Sequence, residues 1–300
     1  MKKIQVFITH IVTNDMMETN DILVEEVTFL EKVTDYPHET IVVYYSPEND
    51  NSIDDAYDRM PKGVKIVKND RPGNPYCMPS MRNKVIDLAD DYFVLLHNDI
   101  RVSVGWLTSL VADLEKAESI YKDRCVMSPR FVPYHYIPGI IKPKYPEFWK
   151  KISTKPQFYS IEKMTQWCKE WHFKFKHNML YSLPPGHITD DGHALMMFIS
   201  SKKFFKDVGG NDERYIYRRH DDDDWGITAL MKGKKDLKSQ TSLIGHMVHM
   251  TLGHNKFPFF TNKSNEKLFI EKWGRPIFDE MITGKIWIRL HNEQLNKKMI

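Results

Sequence analysis

The sequence has no long apolar run: nowhere do about 18 apolar residues follow one another, so no stretch reads as a membrane-spanning helix. The start, Met1 to Val6, leads straight into a strand-like pattern without the apolar region of a secretion signal. Cysteine is scarce. Cys77, Cys125 and Cys168 are odd in number, far apart and free of C-x-x-C spacing, which argues against a disulfide framework or a structural zinc site and suits a reducing compartment. An excess of charge is also missing, since 43 Lys and Arg against 40 Asp and Glu leave +3, too near balance to argue for a nucleic-acid or anionic-membrane partner. A soluble, cytoplasmic protein is the expectation. What is present is ample apolar content: 300 residues with 41% hydrophobic side chains can bury a large core, and disorder is not expected.

Taken in order, Ile4 to Val12 predicts a first strand, and Asn14 to Val33 a helix with Ile22, Leu23, Val27, Leu30 and Val33 at helical spacing. Thr40 to Tyr45 is β-branched and aromatic and breaks at Ser46-Pro47, predicting a second buried strand followed by a polar loop from Glu48 to Asp54. Val64 to Val67 reads as a short third strand and Pro79 to Leu88 as a helix whose Arg82-Asn83 pair faces a cleft. Alternation of this kind predicts an α/β fold with a mostly parallel sheet and helices on both faces.

The chain is organised around Tyr92 to Ile100. The apolar residues Phe93 to Leu96 predict a strand buried on both faces, and it ends abruptly in His97, Asn98 and Asp99. Open α/β sheets place ligands beyond the carboxyl ends of their strands, so this triplet emerges where a metal or phosphate is expected. Capping of the segment that leads to Trp106 is the plainer role for Asp99. Further on, Asp221 to Asp224 form an acidic run before a helix-like stretch, Ile227 to Gly233. Such a run complements the positive end of a helix dipole, and a carboxylate there can also take a proton from a hydroxyl.

These pieces together resemble the GT-A (Rossmann-like) glycosyltransferases, family 2 in particular. The His97-Asn98-Asp99 triplet resembles the family's DxD region, with His97 in place of the first acid. Arg82-Asn83 resembles the pair on the helix before it. Gly192 to Glu213, with Val208-Gly209-Gly210-Asn211-Asp212-Glu213, resembles the "VGGFDE" passage with Asn211 for Phe, and Asp221 to Gly233 resembles the "EDxDxxxRxxxxG" passage that carries the base. Aligned on Trp225, Asp221 takes the Glu position and Asp222 that of the base. Gly245 to Met250 resembles a late strand with a metal-binding histidine; alternation turns His246 and His249 to opposite faces, so only one can point at a cleft, and His249 is preferred to His246.

The resemblance implies transfer of a hexosyl or pentosyl unit from a nucleotide-sugar, UDP being the commonest carrier, to an acceptor hydroxyl with inversion. Asp222 and Asp221 would be catalytic; Thr9, His10, Ser46, Arg82, Asn98 and Asp99 would bind the donor; Asp99 with His249 or His246 would hold Mn2+ or Mg2+. Tyr45-Ser46 stands where the family has an acidic residue at the base, which leaves the carrier open. The acceptor class stays open among glycan, lipid-linked sugar, protein and DNA with a hydroxylated base. Residues 1–261 are expected to form the GT-A domain, with 129–187 an inserted acceptor-side segment rich in aromatics and lysines, and 262–300 a C-terminal extension packing on it. Two other readings compete: a catalytically weak carbohydrate- or partner-binding protein of the same fold, consistent with His97, and a nucleotidyltransferase, disfavoured because Thr9 to Asn14 contains no glycine-rich phosphate loop.

Overall fold

A computed structural model describes residues 3–11, 17–46, 52–71, 77–98, 100–102, 105–133, 197–216, 220–246 and 263–297. The amino-terminal part runs β1 (Ile4–Ile11), α1 (Met17–Val33), β2 (His38–Tyr45), α2 (Ser52–Asp58), β3 (Lys65–Lys68), α3 (Met78–Leu88), β4 (Tyr92–His97), β5 (Ile100–Val102), α4 (Trp106–Tyr121) and β6 (Cys125–Pro133). After 134–196, outside the described residues, follow β7 (Met197–Ser201), α5 (Lys202–Val208), α6 (Asp221–Met231), β8 (Lys235–His246), α7 (Lys263–Trp273), α8 (Arg275–Ile282) and α9 (Lys285–Lys297). The expected inserted segment, 129–187, lies outside the described residues except at its start, which is still strand β6.

One eight-stranded sheet has the order β3-β2-β1-β4-β7-β6-β8-β5. β1 pairs in parallel with β2 and β4, β2 with β3, and β6 with β8, while β7 runs antiparallel between β4 and β6 and β5 antiparallel beside β8. The sheet is therefore mostly parallel, as the alternation predicts. Side-chain alternation in β1 explains the two layers around it. Val6 and Ile8 face a core shared with α1, α2 and α4, whereas Phe7 faces one shared with α3, α5 and α6. Helices thus cover both faces, and the central strands read as unbroken apolar runs because both sides are dry.

Two expectations need correction. Residues 52–54 were expected in a polar loop, yet Ser52–Asp58 is helical, with Asp54 and Asp55 in its first turn and Ile53 and Ala56 buried on the first core. The acidic run was expected before its helix, but α6 begins at Asp221, so all four aspartates occupy the first turn.

The outer face of α6 meets the carboxyl-terminal helices. Ile227 and Leu230 pack with Phe269 of α7, Phe278 of α8 and Ile286, Trp287 and Leu290 of α9 in a third cluster. Trp225 and Ala229 on the other face belong to the sheet-side core. The helix that carries the acidic run is therefore clamped between two apolar layers. Among the described residues no helix is long and apolar enough to cross a membrane.

Candidate active site

A helix that feeds the amino end of a parallel strand starts near the carboxyl edge of the sheet. α3 leads into β4 and α6 into β8, so the first turns of both helices meet at the edge where β1 and β4 end. α6 is introduced by His220 in the left-handed region, φ 67°. Its four aspartates have four different surroundings.

Asp221 is buried and accepts a 2.7 Å hydrogen bond from Nη1 of Arg82, with the two side chains 7% and 3% exposed. Asp223 faces Nδ1 of its neighbour His220 at 3.2 Å. Asp224, 2% exposed, accepts from Nζ of Lys272 at 2.8 Å and from Nε1 of Trp273 at 2.6 Å, both on α7. Asp222 differs. It is half-buried, and among the described residues no other side chain hydrogen-bonds to it. Withdrawal from water, and after it the neighbouring Asp221 carboxylate, hold Asp222 well above the ordinary carboxylate range. The sequence suggests the like charge as a cause; burial is the larger one.

Asn83, next to Arg82, organises the glycine turn. Its Nδ2 donates to the Asn211 carbonyl at 2.9 Å and to Glu213 Oε1 at 2.6 Å, and its Oδ1 accepts from the Asn211 amide at 2.8 Å. Gly210, at φ +76°, approaches so closely that a Cβ would lie 3.2 Å from Asn83 Oδ1, so glycine is needed there for backbone and space alike. Arg71 grips the same Glu213 from Nη2 at 2.7 Å. Asp212 completes the turn; the Arg214 guanidinium, reaching it at 2.9 and 2.7 Å, holds its carboxyl down to about 2.

Lys272 and Trp273 went unassigned in the sequence, because their role depends on a carboxylate that precedes them by almost fifty positions. Lys272 also reaches Asp212 at 3.2 Å, tying α7 to both the turn and α6. Burial raises Asp224 above the ordinary range while Lys272 pulls it back. Lys272→Met is therefore expected to destabilise the fold by about 1–3 kcal/mol at neutral pH, the cost of leaving a buried carboxylate short of a partner. The loss should shrink on acidification, as protonation removes the uncompensated charge. Chemical denaturation at pH 5 and pH 7.5 measures both effects.

At the carboxyl ends of β1 and β4, the expected donor-binding residues form a buried network. Thr9 donates from its hydroxyl to the Leu96 carbonyl at 3.2 Å. His10, 1% exposed, accepts at Nδ1 from Asn98 Nδ2 and donates from Nε2 to Asn20 Oδ1, both at 2.8 Å. Burial lowers its pKa to about 4, so the ring is neutral. Thr9 is thus tied to β4 and His10 to Asn98. Ser46 is buried at the end of β2, and His97 closes β4 opposite Thr9.

Asp99 and His249 lie outside the described residues, and His246 is described by its backbone only. His246 ends β8 in register with Ile100, the residue after Asp99. Among the described residues no group of three or more His, Cys, Asp or Glu is placed to hold a metal. Cys77 and Cys125 are buried free thiols, and Cys77 Sγ lies 3.0 Å from the Tyr215 carbonyl, where burial pushes the thiol up to about 11.

A mostly parallel sheet flanked by helices, with polar residues gathered at the carboxyl ends of its strands, is an architecture of the Rossmann-like class. No protein-family model and no curated protein sequence matches the chain. Solved structures do: GalNAc-T7 with UDP, GalNAc and Mn2+ aligns with a TM-score of 0.51 and 17% identity over 82% of this chain. S. aureus TarS 1-349 in complex with UDP aligns at 0.50 and 12% identity over 90% of this chain and 70% of that one. The chain spans 44% of the length of the GalNAc-T7 structure. The fold is a GT-A fold, as the sequence motifs imply.

Proposed function

We propose that the chain is a glycosyltransferase that moves a hexosyl or pentosyl unit from a nucleotide-sugar, a UDP-sugar in the first instance, to an acceptor hydroxyl with inversion. The observation that carries this reading is Asp222, on a GT-A fold, in the first turn of α6. The other three aspartates of the run, Asp221, Asp223 and Asp224, are engaged with Arg82, with His220, and with Lys272 and Trp273, whereas Asp222 is half-buried and holds its proton more tightly than an ordinary aspartate. A base with raised proton affinity is suited to accept a proton from a hydroxyl near neutral pH. In the proposed step the acceptor oxygen bonds to the anomeric carbon and its proton passes to Asp222. The bond from that carbon to the diphosphate oxygen breaks, and the nucleoside diphosphate leaves with the electron pair.

In this reading Ser46, Asn98 and Asp99 meet the donor, with Thr9, His10 and Arg82 behind them, and Asp221 fixes the helix start. One carboxylate and one imidazole form a donor set that suits Mn2+ completed by phosphate and water, whereas Mg2+ would use the carboxylate without the imidazole, and the register of Ile100 with His246 supports this reading. Asp99 with His249 or His246 would hold the ion. When bound, a divalent cation offsets the charge of a departing diphosphate. The acceptor is a glycan, lipid-linked sugar, protein or modified DNA.

Calorimetric titration with UDP tests the donor half of the proposal. UDP is expected to bind wild-type protein more tightly with Mn2+ than without. Asp99→Asn should cost at least about tenfold of that metal-dependent gain, since even groups behind metal ligands are worth 10- to 100-fold. Equal UDP affinity with and without Mn2+ in wild type, or an unchanged gain in Asp99→Asn, would remove Asp99 from the site.

A further inference from the structure

We infer that Arg82 is the positioning residue that singles out Asp222 from the acidic run, by binding Asp221 and leaving Asp222 to take the proton. The inference rests on the proposed base role of Asp222 and concerns how the site chooses among four consecutive carboxylates.

Successive residues on a helix point about 100° apart, so Asp221 and Asp222 cannot both face one cleft. Arg82 reaches Asp221 from α3, and the pair lies in a dry place, the guanidinium 3% and the carboxylate 7% exposed. Each charge there has been taken out of water, and neither is tolerable without the other. Arg82 Nε is buried and makes no hydrogen bond. The guanidinium is therefore held by Asp221 through one nitrogen, with no second protein carboxylate among the described residues competing for it.

Among the described residues, three charged side chains act chiefly on Asp222. Asp221 and Asp223 on its own helix raise its proton affinity, and Arg82 from α3 lowers it. Cys77, at the start of α3, senses both Asp221 and Arg82 and is a neutral thiol. Asp224 is turned to Lys272 and Trp273, and His220 to Asp223. Arg218 and Arg219 lie outside the described residues.

This arrangement fixes the sign of each perturbation. Arg82→Gln removes the cation, so with Asp221 still ionised Asp222 binds its proton more tightly; an Asp221 that picked up a proton of its own would cancel that gain, as in the double variant. Asp221→Asn removes the anion but keeps the cation, so Asp222 binds its proton less tightly. Removing both takes away opposing influences together.

The test is UDP release from a panel of UDP-hexoses, with water or added glycans as acceptor, followed as kcat/KM against pH in the presence of Mn2+. Asp222→Asn runs in parallel. Arg82→Gln should move the acid limb upward by about one pH unit, Asp221→Asn downward by a similar amount, and the double variant back toward wild type. Should either single variant fail to fold because it leaves a buried charge unpaired, the double variant, which buries neither charge, carries the test: its acid limb should lie near that of wild type with the donor KM unchanged, and a raised donor KM would overturn the inference. An acid limb that stays in place in the single variants, with a rise in KM for the donor instead, would overturn the inference and make Arg82 a donor ligand. Absence of UDP release by wild type, or full turnover by Asp222→Asn, would overturn the base role itself and the inference with it.

Discussion

Asp222→Asn is expected to lower turnover by about 10²- to 10⁴-fold while leaving UDP affinity almost unchanged, because a general base acts on the transition state more than on bound donor. Donor affinity and rate should part company. The pH dependence gives the same claim a sign: the ionised form of Asp222 is the active one, and burial with the adjacent Asp221 holds its pKa well above the ordinary value. Wild-type kcat/KM should therefore fall as pH drops through a range higher than that of a solvent-exposed aspartate. The residual activity of Asp222→Asn should lack that limb. Neighbouring substitutions separate a positioned base from a diffuse field. Asp223→Asn makes nearly the same charge change beside His220 and should cost far less; comparable losses at both positions would point to overall negative charge and not to one proton acceptor.

Phe205→Ala is expected to destabilise the protein by about 3–5 kcal/mol, the range for truncating a fully buried aromatic ring. Phe205 is 0% exposed and sits at the centre of an aromatic group. Its ring stacks on Trp225 at 4.9 Å and on Phe198 at 5.1 Å, and meets Phe93 at 5.6 Å and Phe204 at 5.7 Å. Those partners come from β4, β7, α5 and α6, so one ring joins the central strand to the helix that carries the acidic run. α5 has only seven residues and too little length to hold itself by backbone hydrogen bonds. Urea denaturation should show a lower midpoint with little change in slope, and Phe205→Leu, which keeps most of the volume, should cost less. A loss below about 1 kcal/mol for Phe205→Ala would mean that α6 is not anchored through this group.

The amino-terminal half of the sheet was readable in the sequence because its strands are dry on both faces: Ile41 to Val43 and Phe93 to Leu96 leave little room for another reading. The long strand Lys235–His246 was legible only at its end, since Lys235, Lys238, Gln240 and Thr241 dilute its apolar residues. α2 was missed for a related reason, as only Ile53 and Ala56 mark its buried side in a polar stretch. That the strand from Met197 runs antiparallel to β4 is a property of the path through the chain and has no local signature.

At the site, the position of the acidic run was legible and the division of labour within it was not. Four aspartates in a row look alike until their partners are known. Those partners are Arg82, 139 residues before Asp221, and Lys272 and Trp273, 48 and 49 residues after Asp224. The family resemblance implied a donor contact for His10; the packing turns both ring nitrogens to Asn20 and Asn98. Asn20 lies within α1, and nothing in its local sequence signals that role.

Mass spectrometry of an acceptor pool incubated with a UDP-sugar and Mn2+, alongside quantification of free UDP, tests the central claim most directly. Wild-type protein should release UDP and add one glycosyl residue in equal amounts to a component of the pool, and Asp222→Asn should do neither at a comparable rate while still binding UDP. A folded wild-type protein that binds no UDP in the presence of Mn2+, and neither releases UDP nor changes the mass of any acceptor, would contradict it.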